Sequence, residues 1–242
     1  MSPSLVIFRK ETRTALLRPS TWGVFASTTA ILGIIYFLAL RDFPSQTLEI
    51  APLFSMYLMM TVPIPVSFFT MSLFPRERTT GSLELLLTAP VTDAEVVTGK
   101  FLSALFLSIS ALLLTYIALA IHLNLSGQFI RPHLVTLFGG FTGAFLATAA
   151  LCSFGTLISL STNYEAAAGA VTMLFSILVV SVVVESEIGT GVAAIANCVN
   201  VLNFSHGILD SRPVITFLST TFFFLFAAVR FLESRRWASA SR

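Results

Sequence analysis

Residues whose types and spacing could do chemistry are few in this chain. Gly189, Gly191 and Ala194 fit the G-x-G-x-x-A spacing of a dinucleotide-binding turn, with Asp210 downstream. Such a turn works where a strand feeds a helix in a soluble unit; here it borders membrane-like apolar sequence, and the match is read as chance. Gly99-Lys100 lacks the earlier glycine of a phosphate loop and is followed by Phe101, so the chain is expected not to bind ATP itself. His122, His133 and His206 would have to converge to hold a metal, and read instead as interfacial polar residues. Cys152 and Cys198 show no C-x-x-C spacing and read as small buried hydrophobes. Asn124-Leu125-Ser126 and Asn203-Phe204-Ser205 are formal glycosylation acceptors, a pattern short enough to match by accident. No catalytic residue, cofactor site or metal site is expected.

Charge is gathered elsewhere. The stretch Arg76 to Lys100, RERTTGSLELLLTAPVTDAEVVTGK, holds seven of the 26 acidic and basic side chains in 25 residues, between two long apolar runs. Gly81 is expected to open a short helix, SLELLLT, which Pro90 closes. Within it Leu83, Leu86 and Leu87 share one face, while Glu84 and Thr88 share another. Thr92 with Glu95 forms a capping box, and Val91 with Val96 the matching hydrophobic staple. A helix is therefore expected to start at Thr92 and run straight into the next apolar run. A push on the short helix would travel along a rigid rod, and Arg76, Glu77, Arg78, Glu84 and Asp93 supply charge for docking a soluble partner. The plainer alternative is a polar hairpin that only closes two membrane spans.

The elements that must position this stretch follow from composition. Of 242 residues, 55% are hydrophobic and 11% charged, and the mean hydropathy is +0.88. Soluble domains are roughly 45–50% apolar and about 25% charged, so the chain is expected to be an all-α integral membrane protein. A net charge of +2 leaves no basic field for gripping nucleic acid. A ~30 Å hydrocarbon core needs about 20 apolar residues. Six runs meet that test: Trp22–Leu40, Ala51–Phe74, Phe101–Leu123, Leu134–Leu160, Ala166–Val184 and Val214–Leu232. Residues 3–18 mix an apolar stripe with Arg9, Lys10, Arg13 and Arg18, which suits a helix in the headgroup layer. The first run is longer than a signal-peptide core, and no A-x-A site follows it, so it reads as a retained span. Pro63 and Pro65 predict a kink or break in span 2. Gly139, Gly143 and Ala147 form a small-residue ridge on span 4, for internal packing in preference to a dimer seam. Gly191–Leu202 is too short to cross and reads as interfacial or re-entrant.

Basic residues set the orientation. With the N-terminus inside, Arg9, Lys10, Arg13, Arg18, Arg76, Arg78, Lys100, Arg230, Arg235, Arg236 and Arg242 are cytoplasmic, against Arg41, Arg131 and Arg212 outside. The charged hairpin and both termini then face the cytoplasm. No acidic or basic residue lies deep in any span; Glu165, Glu185 and Arg230 stand at ends. An ion-coupled carrier needs such a residue near the midplane, and an intramembrane protease needs a reactive set at depth. A transporter without one must take its driving force from a partner.

The pattern RERTTGSLELLLTAPVTDAEVVTGKF resembles the cytoplasmic segment after span 2 in ABC-2 type permeases, the membrane subunits of ATP-binding-cassette transporters. It is most similar to the gliding-motility and nitrous-oxide-reductase-maturation type. Phe204-Ser205-His206-Gly207-Ile208-Leu209-Asp210 and Leu232-Glu233-Ser234-Arg235-Arg236-Trp237 look like that subgroup's C-terminal third. The resemblance implies that Gly81–Thr88 is a coupling helix seated in a groove of a separate cytoplasmic ATPase, which alone carries ATP and Mg. It implies a contact set of Arg76, Glu77, Arg78, Gly81, Leu83, Glu84, Leu85, Leu86, Leu87, Thr88 and Pro90, with Thr92 and Glu95 capping the helix into span 3. It also implies a second permease, identical or paralogous, with spans 2 and 5 lining the route between the two, in a bacterial inner membrane. The expected function is ATP-driven export of an amphipathic, lipid-like or polymeric cargo. A second reading is a force-transmitting subunit that moves nothing across and works with a periplasmic-domain accessory protein.

Overall fold

Prolines punctuate this chain where a helix has no N–H to lose. The computed structural model describes residues 3–42, 57–79, 81, 91–125, 134–184, 204 and 211–240, and among these the regular structure is helical throughout. Four helices begin at a proline: α1 (Pro3–Leu16), α2 (Pro19–Asp42), α3 (Pro63–Met71) and α4 (Pro75–Thr79). The first helical position tolerates proline because its N–H has no intrahelical acceptor. The others are α5 (Asp93–Leu125), α6 (Leu134–Ser161), α7 (Glu165–Val184) and α8 (Ser211–Ala240).

Four helical stretches are long and apolar enough to cross a membrane: Tyr57–Thr79, Asp93–Ala118, Leu137–Ser161 and Ser211–Ser234. Two shorter apolar helices, Pro19–Ile35 and Glu165–Ser181, accompany them. The six sequence-predicted runs lie on helices except at residues 72–74, the turn after α3, and at residues 51–56, which lie outside the described residues. The re-entrant segment Gly191–Leu202 also lies outside them. Next to it, Phe204 is fully buried in the larger apolar cluster.

The expected break in span 2 is at Val62. Pro63 has no N–H to give the Met59 carbonyl, and the Val62 N–H takes that acceptor instead at 3.2 Å. Val62 keeps helical angles, φ −52° and ψ −40°, so the ladder is interrupted while the helical path continues. This span sits at the centre of the bundle. The α3 helix packs on α7, α6, α5 and α2, while α8 lies along α6 and α5. One side of α8 is buried through Phe217, Ala228 and Leu232, and Phe222, Phe223 and Phe226 are exposed on it. Several buried hydroxyls in the bundle return to their own helix, as Thr148 does to the Ala144 carbonyl at 2.6 Å and Thr172 to Ala168 at 2.8 Å. These hydroxyls are thereby satisfied without demanding partners across a helix interface.

Small residues let the central helix approach its neighbours. Gly139, Gly143 and Ala147 are buried within the chain, as internal packing requires. A Cβ added at Gly155 would stand 2.5 Å from Thr70 Oγ1 and 2.8 Å from its Cβ. Gly155→Val should therefore force α6 off α3 and lower stability by about 1–3 kcal/mol, the usual cost of overpacking. Gly23→Ala, where nothing lies within 4 Å, should be neutral. Thermal unfolding of the two purified variants in detergent checks both; an unshifted Gly155→Val midpoint would mean the helices do not meet there.

Candidate functional site

Helix α5 starts as its sequence directs. The Thr92 N–H donates to Glu95 Oε2 at 3.0 Å, and the Glu95 N–H donates to Thr92 Oγ1 at 3.3 Å. The Thr92 carbonyl accepts from the Glu95 and Val96 amides at 3.0 and 3.2 Å. This reciprocal cap contributes about 1 kcal/mol. Val91 and Val96 join the same apolar cluster, and the helix then runs unbroken for 33 residues.

Two turns into α5, Val96, Val97, Lys100 and Ala104 share one buried stripe. Lys100 is 1% exposed. An ammonium has three protons to place, and three acceptors meet this one. Glu77 Oε1 of α4 lies at 2.9 Å, Glu11 Oε1 of α1 at 3.3 Å, and the Leu73 carbonyl, just past the end of α3, at 2.8 Å. The Phe74 ring centroid adds a cation–π contact at 5.2 Å. One buried cation thus ties together α1, α5 and the α3–α4 corner. Close approach permits this: Gly99 brings α5 against α1, where a Cβ would stand 2.8 Å from the Ser4 carbonyl. Phe8 and Phe106 meet edge to face at 5.7 Å along the same seam.

The neighbouring residue on α4 grips the other side. Arg78 donates from Nη1 to the Thr162 carbonyl and to Asn163 Oδ1, both at 2.9 Å, and from Nη2 to the Leu160 carbonyl. A guanidinium at a helix C-terminus satisfies carbonyls the helix leaves open and complements its dipole. Arg78 therefore pins the corner between α6 and α7. Beside it the Phe74 amide donates to Ser159 Oγ at 3.3 Å.

Of the sequence-predicted contact residues, Glu77 and Arg78 are thus part-buried and engaged within the chain, while Arg76 is exposed. Gly81 closes the turn after α4 with φ +70°, a left-handed conformation that favours glycine. Leu83, Glu84, Leu85, Leu86, Leu87, Thr88 and Pro90 lie outside the described residues. Lys100 and Glu11 were not singled out from sequence as site residues. A signal existed for Lys100, a lone charge at helical spacing among apolar neighbours; for Glu11, on an ordinary-looking amphipathic helix, there was none.

A cavity of about 440 Å³ opens beside this knot, between α1, the start of α2, α3 and α5. Arg18 lines it with Arg76. Burial first, and then the Arg76 guanidinium, push the Arg18 guanidinium below its usual value, while Glu11 and Glu165 act in the other direction. An arginine stays charged regardless. No group of three metal-ligating side chains occurs among the described residues. Among the described residues the geometry offers two rigid anchorages of α4, one on α5 through Glu77 and Lys100 and one at the α6–α7 corner through Arg78.

A family model described as ABC-2 family transporter protein matches residues 5–221, most of the chain, and takes in α1 through the first part of α8. No curated protein matches the chain.

Proposed function

The chain belongs to the ABC-2 transporter family, and from that premise we propose that it is a permease subunit coupling ATP hydrolysis on a separate cytoplasmic ATPase to export. In this reading six helices span a bacterial inner membrane with both termini in the cytoplasm, α1 lies in the headgroup layer, and residues 81–88 dock on the ATPase. ATP and Mg stay on that partner, and a second permease completes the transporter.

The observation that carries the coupling role is the double anchorage of α4. Glu77 is bound to Lys100 of α5 at 2.9 Å, and Arg78 to the α6–α7 corner. A displacement of residues 81–88 by the ATPase would move α4, and α4 cannot move without carrying α5 and that corner with it. On the far side, the Thr92–Glu95 cap passes the same displacement directly into α5. A slack hairpin would dissipate the motion; two fixed ends transmit it.

Glu84→Arg is the test, because it reverses charge on the docking segment and leaves Glu77, Arg78 and Lys100 unsubstituted. With the full chain as bait in detergent, wild type should recover a nucleotide-binding subunit and Glu84→Arg should recover at least about tenfold less, a charge contact at an interface being worth some 1.4 kcal/mol or more. Equal recovery by both would remove Glu84 from the contact. Recovery of no ATPase by either would remove the ATP-driven reading.

A further inference from the structure

Another cavity opens on the opposite flank of α1, where that helix lies along α5. The two helices touch at Gly99, whose added Cβ would stand 2.8 Å from the Ser4 carbonyl and 3.0 Å from Ile7 Cβ. Further along α5 they part and leave a groove of about 360 Å³, walled by Leu5 and Phe8 on one side and by Leu102, Phe106 and Ile109 on the other. Ser4 is the one polar residue lining it, and no ionisable side chain does so. The groove continues as a track, because Leu102, Phe106, Leu113 and Ile117 are all exposed on one face of α5. At 1.5 Å per residue that face extends for about 22 Å. Phe8 meets Phe106 while Glu11 reaches Lys100, so the residues of α1 beyond Phe8 lie toward the polar start of α5.

Two cations stand at that end. Arg9 follows Leu5 by one helical turn and Arg13 follows Arg9 by another, so the three form one ridge beside the groove. Both arginines are exposed, and neither guanidinium has a hydrogen bond or ion pair among the described residues. The carboxylates of the two helices are placed elsewhere. Glu11 is ion-paired with Lys100, Glu95 is bonded within the Thr92 cap, and Asp93 stands in the first turn of α5, more than two turns before Leu102. We propose that the groove seats an acyl chain of an anionic membrane phospholipid, with its phosphate on Arg9 and Arg13 and the chain running past Phe8 and Phe106 along the α5 track. Guanidinium groups bind phosphate oxygens through charge-assisted hydrogen bonds. The apolar walls hold the chain of any lipid; the arginines select the headgroup, since a zwitterionic lipid also presents them with an ammonium. A lipid so placed bridges the two helices that the Glu11–Lys100 pair already joins. The inference rests on the membrane setting of the family and not on the ATPase reading, and its test contains no ATPase.

The full chain, purified in an uncharged detergent, is titrated with phosphatidylglycerol or phosphatidylcholine of matched chains, and retained lipid is counted by native mass spectrometry. Wild type should bind one phosphatidylglycerol about twentyfold more tightly than phosphatidylcholine, each surface arginine contributing about fivefold. Arg9→Gln and Arg13→Gln should each weaken phosphatidylglycerol about fivefold, and the double variant should bind the two lipids alike. Leu5→Glu charges the groove wall and gives Arg9 an acidic partner one turn away; it should weaken phosphatidylglycerol at least as much as the double variant does. Arg230→Gln removes a charge of the same sign from α8 and should leave binding unchanged. All four residues are exposed, so these substitutions spare the core. Equal affinity of wild type for the two lipids overturns the proposal. So does a loss with Arg230→Gln as large as with Arg9→Gln, which would reduce the preference to overall charge. Displacement of the lipid by glycerol phosphate at matched concentration overturns it too, because the groove would then hold no chain.

Discussion

Lys100→Met should be the most damaging single substitution at the α1–α4–α5 junction, costing about 3–5 kcal/mol, the usual penalty for breaking a buried ion pair from one side. Methionine fills much the same volume, so the loss would not come from a cavity. It would come from Glu77 and Glu11, left with carboxylates beside an apolar side chain where an ammonium lay at 2.9 and 3.3 Å, and from the Leu73 carbonyl, deprived of its donor at 2.8 Å. The same logic predicts a partial rescue. Glu77→Gln in the Lys100→Met background removes a stranded charge, and the double variant should be more stable than the sum of the two single losses implies. Thermal unfolding of wild type, both single variants and the double variant in one detergent supplies the cycle. Strict additivity would show that Lys100 and Glu77 act independently, and the anchorage of α4 on α5 would then have to be abandoned.

What the sequence made legible, and what it hid, divides along the range of the interactions. The Thr92–Glu95 cap is written within four residues, so its hydrogen bonds could be read off in advance, as could the interruption at Pro63, which follows from a missing N–H. The apolar runs were equally plain, because a lipid-facing helix needs no partner to be recognised. Lys100 is different. Its position among Val96, Val97 and Ala104 marks it as a charge on a buried stripe, but its acid partner on α1 stands 89 residues away. Glu11 is the one carboxylate on α1, but nothing local says that α1 packs on α5; only its approach to Gly99 brings the two charges together. Arg78 is the same case. In sequence it belongs with Arg76 and Glu77 as a charged cluster suited to docking, and its contacts 82 to 85 residues downstream exist only because α3 lies against α6 through Gly155.

Those long-range contacts make Arg78→Lys the second large effect, although it conserves charge. The guanidinium serves acceptors in two directions: the Thr162 carbonyl and Asn163 Oδ1 from Nη1, and the Leu160 carbonyl from Nη2. A single ammonium on a flexible stem cannot reproduce that fork. Losing one or two charged hydrogen bonds and leaving helix-terminal carbonyls open should cost about 2–4 kcal/mol. The loss should also be local. Hydrogen exchange should accelerate at the C-terminal turn of α6 and around Asn163, while amides of α5 near Ala104 keep their protection. Asn163→Ala, which removes one acceptor of the three, should reproduce only a fraction of the effect. Acceleration spread evenly over the bundle would mean that Arg78 supports the fold as a whole. Acceleration confined to the α6–α7 corner would locate a joint there, released from α4 while α4 stays bound to α5 through Glu77. In such a variant a displacement arriving from residues 81–88 would still reach α5 but no longer reach α6 and α7. ATP hydrolysis by the reconstituted complex would then persist while nucleotide-dependent movement of the corner, read by a distance between labels at positions 79 and 164, would be lost. Movement of the corner at the wild-type amplitude would show that the displacement takes another path.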